Sequence, residues 1–240
     1  MKRLLILVLS FISVNSFAQP WKTITGNGQL KKETRNVEAF TALASLGAID
    51  VEISYGNSKS ITLEMDENLL PYIETNVENG KLTIRPKKYV NIKSREKMTV
   101  RVSMTKVTSL QESGSGNISG AGAFYNDEKT SVAISGSGNI KFGFDSFKEL
   151  NLALSGSGNL NLKEGKSESI EAHISGSGNI DCSNISSNEV VAQISGSGNI
   201  KVNAKNNIDA KISGSGNVFY KGNSVNIKSQ IAGSGKVVKM

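Results

Sequence analysis

Ser113-Gly114-Ser115-Gly116-Asn117 recurs letter for letter from Ser135, Ser155, Ser175, Ser195 and Ser213, and Ala232-Gly233-Ser234-Gly235-Lys236 is a degenerate seventh copy. The intervals between first residues are 22, 20, 20, 20, 18 and 19. The seven copies hold 14 of the 24 glycines, so the glycine excess belongs to a repeat and not to a flexible linker.

The flanks of the motif alternate with period two. Before it stand Leu150, Leu152 and Leu154, then Ile170, Ala172 and Ile174, then Val190, Ala192 and Ile194, then Ile208, Ala210 and Ile212. After it stand Leu160 and Leu162, Ile180 and Cys182, Ile200 and Val202. The residues between them are mostly polar, among them His173, Gln193, Lys211, Asp181 and Lys201. Strand side chains alternate faces, so each flank reads as a half-buried strand. One repeat cannot bury its own apolar face, whereas stacking like on like can. The fold class expected is all-β: a parallel β-helix with coils of about 20 residues, each with two main strands and a short third side. Parallel crossovers favour right-handed coiling. At about 4.8 Å per rung, seven motifs span roughly 29 Å. The asparagines Asn117, Asn139, Asn159, Asn179, Asn199 and Asn217 should form a structural ladder, inward with amide-to-amide bonds or outward as a polar stripe.

Composition agrees with a thin core. The chain has 240 residues, 38% hydrophobic, 6% aromatic, with one Cys and one His. The single Cys excludes an internal disulfide framework, and one Cys with one His leaves no zinc cluster and little room for a His-based triad. Lys2 and Arg3, the apolar stretch from Leu4 to Val14, and Ser16-Phe17-Ala18 before Gln19 form a secretory leader pattern. Residues 1–18 are therefore expected to be a signal peptide cleaved near Ala18/Gln19, with 19–240 a single β-helix domain. Export to the periplasm, the outer surface or the medium follows. No Cys follows the leader, so a lipoprotein anchor is not expected, and no apolar run reaches the ~20 residues of a membrane span. Removing Lys2 and Arg3 takes the net charge from +7 to +5.

Residues 30–106 lack the motif but remain strand-rich, and they are expected to form irregular N-terminal coils that cap the repeat coils of 107–240. Ser45-Leu46-Gly47-Ala48 reads as a degenerate corner, Asn79-Gly80 as a hairpin turn, and Asp66 to Ile73 as a short helical turn at most. At the far end, Lys236 and Lys239 read as edge protection, with the expectation that the chain is complete there.

Asp66-Glu67-Asn68-Leu69-Leu70-Pro71-Tyr72-Ile73, then Asn79-Gly80-Lys81-Leu82-Thr83-Ile84 and the repeated pentapeptide, resemble the head GIN domain family. These are exported bacterial proteins, common in Bacteroidetes, that carry the description "putative autotransporter adhesin". The resemblance runs from about Glu38 to Val238. It implies a right-handed parallel β-helix with two kinds of coil, and no catalytic residues. No autotransporter barrel or sorting tail is evident, so self-secretion is not expected.

Other motifs carry little. Gly235-Lys236-Val237 lacks the earlier glycine and the Ser/Thr of a phosphate-binding loop, so no nucleotide is expected. The Gly-rich turns lack the Asp that calcium-binding β-rolls use. Neither metal nor cofactor is expected. His173 reads as a solvated outward residue and Cys182 as core. Asp145, Glu149, Glu171, Asp181 and Asp209 are scattered without repeat, as surface charge is. Charge is uneven in one place: Lys81 to Lys106 holds nine basic residues against Glu96 alone, while residues 107–240 hold 12 basic and 11 acidic ones. Lys87, Lys88, Lys93, Arg95 and Lys97 are the candidate contacts for an acidic glycan or another envelope polyanion. The expected function is that of a noncatalytic exported module for adhesion or for binding envelope glycans. A polysaccharide-processing lyase or hydrolase on the same scaffold is the alternative. An ice-binding solenoid is a third idea, set back by the mixed outward positions.

Overall fold

The computed structural model of the chain describes residues 21–57, 59–222 and 226–240; the expected leader, residues 1–18, and its cleavage site lie outside the described residues. The repeat builds a parallel β-solenoid of about six turns. Strand Tyr125–Gly136 lies over Ser109–Gly114, Ser146–Gly156 over Tyr125–Gly136, and Gly165–Gly176 over Ser146–Gly156, all parallel. Register holds residue by residue: Leu110, Val132, Leu152, Ala172, Ala192 and Ala210 form one inward column. Val51, Ile118, Ile140, Leu160, Ile180, Ile200 and Val218 form the facing one. All of these residues are buried. A buried Val, Leu or Ile stabilises by roughly 1.5–3 kcal/mol, so every coil adds several such terms to a core one coil wide.

The motif is the corner between those columns. Gly156 adopts φ +122°, a left-handed conformation that side chains disfavour. It thereby turns the chain so that Ser157 N–H and Gly158 N–H both donate to the Gly136 carbonyl oxygen, at 2.9 and 3.2 Å. A Cβ on Gly158 would press into the Gly138 carbonyl oxygen of the coil below, which is why the second motif glycine is needed even without positive φ. The second corner is looser. Strands Asn179–Gly196 and Asn199–Gly214 run through it with register shifts between Asp181/Ser186 and Ser187/Glu189. The short third side is the stack of Gly165, Lys166 and Ser167 on Ile185, Ser186 and Ser187. Buried Ser167 and Ser187 each donate to a carbonyl of the neighbouring coil.

The N-terminal part matches three local expectations and departs from one. Gly47, at φ +96°, aligns with Gly114 and accepts from Ser115 and Gly116 N–H, so Ser45 to Ala48 is a corner. Asn79 and Gly80 both take positive φ between strands Ile73–Glu78 and Lys81–Pro86, and Glu67–Tyr72 is a 3-10 turn. The departure is spatial order. Successive coils do not stack in chain order here: strands Ala42–Gly47 and Asp50–Tyr55 sit against the first repeat coil, and the later strands Lys81–Pro86 and Thr99–Met104 lie outside them. Antiparallel strands Leu30–Asn36, Ser60–Asp66 and Ile73–Glu78 complete this end. On the two main faces the outermost layers are therefore antiparallel strands and not coils, while Lys22–Thr25 and Val90–Lys93 pair in parallel as a separate two-stranded sheet. Antiparallel neighbours can be joined by short turns, which lets the chain double back where a coil would need a full circuit. At the other end, strand Asn226–Gly233 is exposed along its whole length.

Candidate functional site

Three surface features follow from this register. The first is the asparagine ladder. Every ladder amide points outward, half-buried or exposed, and they still bond one another. Asn139 Nδ2 donates to Asn117 Oδ1 at 2.9 Å, Asn159 to Asn139 at 2.9 Å, Asn179 to Asn159 at 3.0 Å, and Asn199 to Asn179 and Asn217 to Asn199 at 3.1 Å. Asp50 ends the chain of amides: its Oδ1 accepts Asn117 N–H and Nδ2–H at 2.9 and 2.8 Å. Amides committed to one another have little left for a ligand.

The second feature is a groove along the strand face just before each corner, a cleft of about 820 Å³ running from Gln111 to Gln230. Its origin is side-chain size. The outward column reads Gln111, Ala133, Ala153, His173, Gln193 and Lys211, and two alanines leave a trough beside the turn. Ser135, Ser155, Ser175, Ser195 and Ser213 supply a row of exposed hydroxyls along one wall. Ile134, Leu154, Ile174, Ile194 and Ile212 lie beneath it with their side chains turned into the core, 2–3% exposed, so the apolar surface the groove offers comes from Ala133, Ala153 and, at its far end, Ile231. His173 Nε2 lies 2.9 Å from Glu171 Oε1, so the one His is paired, not merely solvated.

The third feature is the basic stretch, which the fold divides. Arg85 pairs with Glu74 at 2.9 Å, Lys97 with Asp50 at 2.9 Å, Lys106 with Glu128 at 3.6 Å, and Arg101 with both Glu52 and Glu64. The hydrogen bond to Asp50 holds the Lys97 ammonium above its ordinary pKa. Lys87, Lys88, Lys93 and Arg95 make no salt bridge among the described residues and keep their charge for solvent or a partner. Of the five candidate contacts, Lys97 is thus committed within the fold. The loop carrying Arg95 is fixed by buried Asp66, whose oxygens accept Gly28, Arg95 and Glu96 N–H at 2.5, 3.0 and 3.1 Å. Burial pushes the Asp66 carboxyl up, but these backbone bonds outweigh it and hold the pKa below its usual value.

Chemistry-bearing side chains do not converge. Cys182 is fully buried, its thiol pushed up to about 12 chiefly by desolvation. Asp181 and Asp209 sit 3.8 and 3.6 Å from Lys201 and Lys228. Among the described residues no group of three or more His, Cys, Asp or Glu could hold a metal ion, and no helix is long and apolar enough to cross a membrane. Glu112 stands apart. It occupies the inward column in register with Ile134 and Ser45, is fully buried, and neither carboxyl oxygen has a hydrogen-bond partner. Burial raises its pKa to about 7.

Residues 39–224 match the family described as "Putative auto-transporter adhesin, head GIN domain", and the chain belongs to that family. Solved structures share its fold. A Bacteroides fragilis protein described as a "putative adhesin" is 22% identical, with a TM-score of 0.78 over 90% of this chain and 100% of that one. A Parabacteroides distasonis "Putative lipid binding protein" is 24% identical, with a TM-score of 0.76 over 91% and 100%. A Parabacteroides merdae "putative adhesin" is 24% identical, with a TM-score of 0.66 over 91% and 99%. No curated protein matches the sequence.

Proposed function

We propose that this member of the head GIN domain family is a noncatalytic, exported adhesin-type module that holds an extended envelope ligand, a glycan strand, along its groove. The observation that carries the reading is the groove's continuity. Seven rungs from Gln111 to Gln230 line one trough, roughly 29 Å long at about 4.8 Å per rung. Sugars present apolar C–H faces beside hydroxyl edges, and the groove offers the small apolar side chains of Ala133 and Ala153 beside a row of serines. The leader pattern of residues 1–18 supports export, and the family supports a surface location. Lys87, Lys88, Lys93 and Arg95 give the N-terminal end a positive field that draws acidic envelope components toward it.

Groove and chemistry are tested together on a glycan array followed by titration of the hits. Binding without turnover is expected, weakened about tenfold or more by Ala153→Arg, which fills the trough with a charge. Undiminished binding by that variant, or release of new reducing ends, overturns the reading. A second reading, an acyl chain in the same groove, draws on Ala133, Ala153 and exposed Ile231 and on the lipid-binding description of the Parabacteroides distasonis neighbour. Displacement of a fluorescent fatty acid from the wild type but not from Ala153→Arg would favour it over the glycan.

A further inference from the structure

We propose that the N-terminal end of the solenoid docks on an anionic lipid surface. The proposal rests on the envelope reading above and names the partner of the basic end. Strands Lys22–Thr25 and Val90–Lys93 form a separate two-stranded parallel sheet at that end. Ile24 and Ile92 pack against the core, so alternation sends Thr23 and Thr25, with Asn91 and Lys93, to the outer side, and Trp21 and Tyr89 immediately precede the two strands. Trp21 is 67% exposed and Tyr89 53% exposed, and they contact edge to face, centroids 6.4 Å apart. Tyr89 stands at φ +61°, a costly backbone state for a bulky residue, and it carries its ring outward at the turn. Lys22 lies over the Tyr72 ring, 5.7 Å from its centroid. Lys87 and Lys88 open the turn that Val90 N–H closes on the Lys87 carbonyl oxygen, Lys93 ends the strand and Arg95 follows it, and none of these side chains makes a salt bridge among the described residues.

Exposed Trp and Tyr favour the headgroup layer of a bilayer, and lysines beside them favour anionic headgroups. The ring geometry separates this partner from a soluble glycan. A sugar stacks on an open flat face, whereas the edge-to-face Trp21–Tyr89 pair offers a wedge.

Trp21 is the only tryptophan of the chain and reports directly. The protein as its own cell exports it, its N-terminus read by mass spectrometry, is mixed with vesicles of phosphatidylcholine alone or with phosphatidylglycerol added. A blue shift of Trp21 emission and co-sedimentation are expected only with the anionic vesicles. Binding should weaken as salt shortens the screening length from ~10 Å at 0.1 M to ~3 Å at 1 M. Each lysine lost should weaken binding about fivefold, so Lys87→Ala with Lys88→Ala costs about 25-fold. Trp21→Ser, followed by sedimentation, should weaken it further. Capture by heparin without any vesicle binding overturns the lipid assignment in favour of a soluble polyanion, and binding to neither overturns the surface altogether. Ala153→Arg should leave vesicle binding unchanged. If that groove variant abolishes it, docking runs through the groove and this proposal fails, while failure of the groove reading alone leaves the vesicle result standing.

Discussion

Replacing Glu112 by isoleucine should make the protein more stable at pH 8 and much less so at pH 4.5. The coils that follow carry Ile134, Leu154 and Ile174 in this column, and Glu112 alone among the repeat coils brings a carboxyl into it. The nearest donors help it little. Ser45 Oγ–H donates to the Ile49 carbonyl oxygen at 3.2 Å and Gly116 N–H to that of Gly47 at 3.0 Å. Desolvation therefore dominates, the Asp50 charge adds to it, and the folded pKa rises from 4.5 to about 7. Below pH 4.5 both states hold the proton and the group costs nothing through ionisation. Between 4.5 and 7 the unfolded chain ionises while the fold keeps the proton, so stability falls as pH rises. The loss levels off above 7, at about 3 kcal/mol for a shift near 2.5 units. Isoleucine removes that slope, and the site has room for it. A Cβ on Gly138 would lie 2.7 Å from Glu112 Cγ, and one on Gly158 3.0 Å from Ile134 Cγ2, so the two sites are comparably packed.

The assay is thermal unfolding of both proteins by circular dichroism at the two pH values, read as a difference of differences. That form matters because Asp66 runs the opposite way: its carboxyl lies below its usual pKa, so its contribution is lost in acid, equally in both proteins. For a chain of this size 3 kcal/mol corresponds to roughly 6–12 °C, so the Tm advantage of the variant should grow by that amount from pH 4.5 to pH 8. A gap that does not change with pH, or a variant less stable at pH 8, would refute the account of a neutral buried acid.

Gly158→Ala should be among the most damaging single-methyl changes, because its Cβ meets a backbone carbonyl oxygen that cannot move without opening two coils. A loss of about 3 kcal/mol or more in urea unfolding is expected, and a loss under about 1 would mean the corner is pliable. Cys182, buried with a thiol pushed up to about 12, should resist iodoacetamide at pH 8 in the folded protein and react once denatured; labelling of the native state would show that the coil opens there.

The fold was legible because a period near 20 and a period of two are both written into residues 107–240, and stacking is the only way to bury such a repeat. Chain order at the N-terminal end was not. Residues 81–104 lie outside residues 42–55 because their strands pair across that earlier coil, and nothing in two unrepeated strands announces a partner some 40 residues away. The same distance hid the division of the basic stretch. Glu96 is its only acidic neighbour in sequence, yet Arg101 meets Glu52 and Glu64, 49 and 37 positions back. The groove and Glu112 were within reach. Ala133 and Ala153 stand at outward positions where other coils carry larger side chains, and a trough is what small residues on a flat strand face produce. Glu112 breaks the apolar alternation one residue before the motif, at a place where every later full repeat has Ile or Leu.

That break falls where the repeat hands over to the rest of the fold, and the amide ladder ends on a carboxylate at the same junction for a physical reason. Within the stack each Asn amide receives from the coil after it and donates to the coil before it, so every N–H of the ladder points the same way, toward Asp50. A carboxylate ends such a row better than another amide, since it accepts two donors at once and its charge faces the positive ends of the aligned dipoles. The charge then needs a counterion, and Lys97 from the outer coil supplies it at 2.9 Å. One coil further in, the same negative charge helps keep Glu112 protonated. The two acids of the junction thereby take different parts: Asp50 anchors the ladder, and Glu112, buried in the inward column, has its pKa raised to about 7. The joint thus carries a pH sensitivity opposite in sign to that of Asp66 in the N-terminal part: stability lost as pH rises at Glu112, and as pH falls at Asp66.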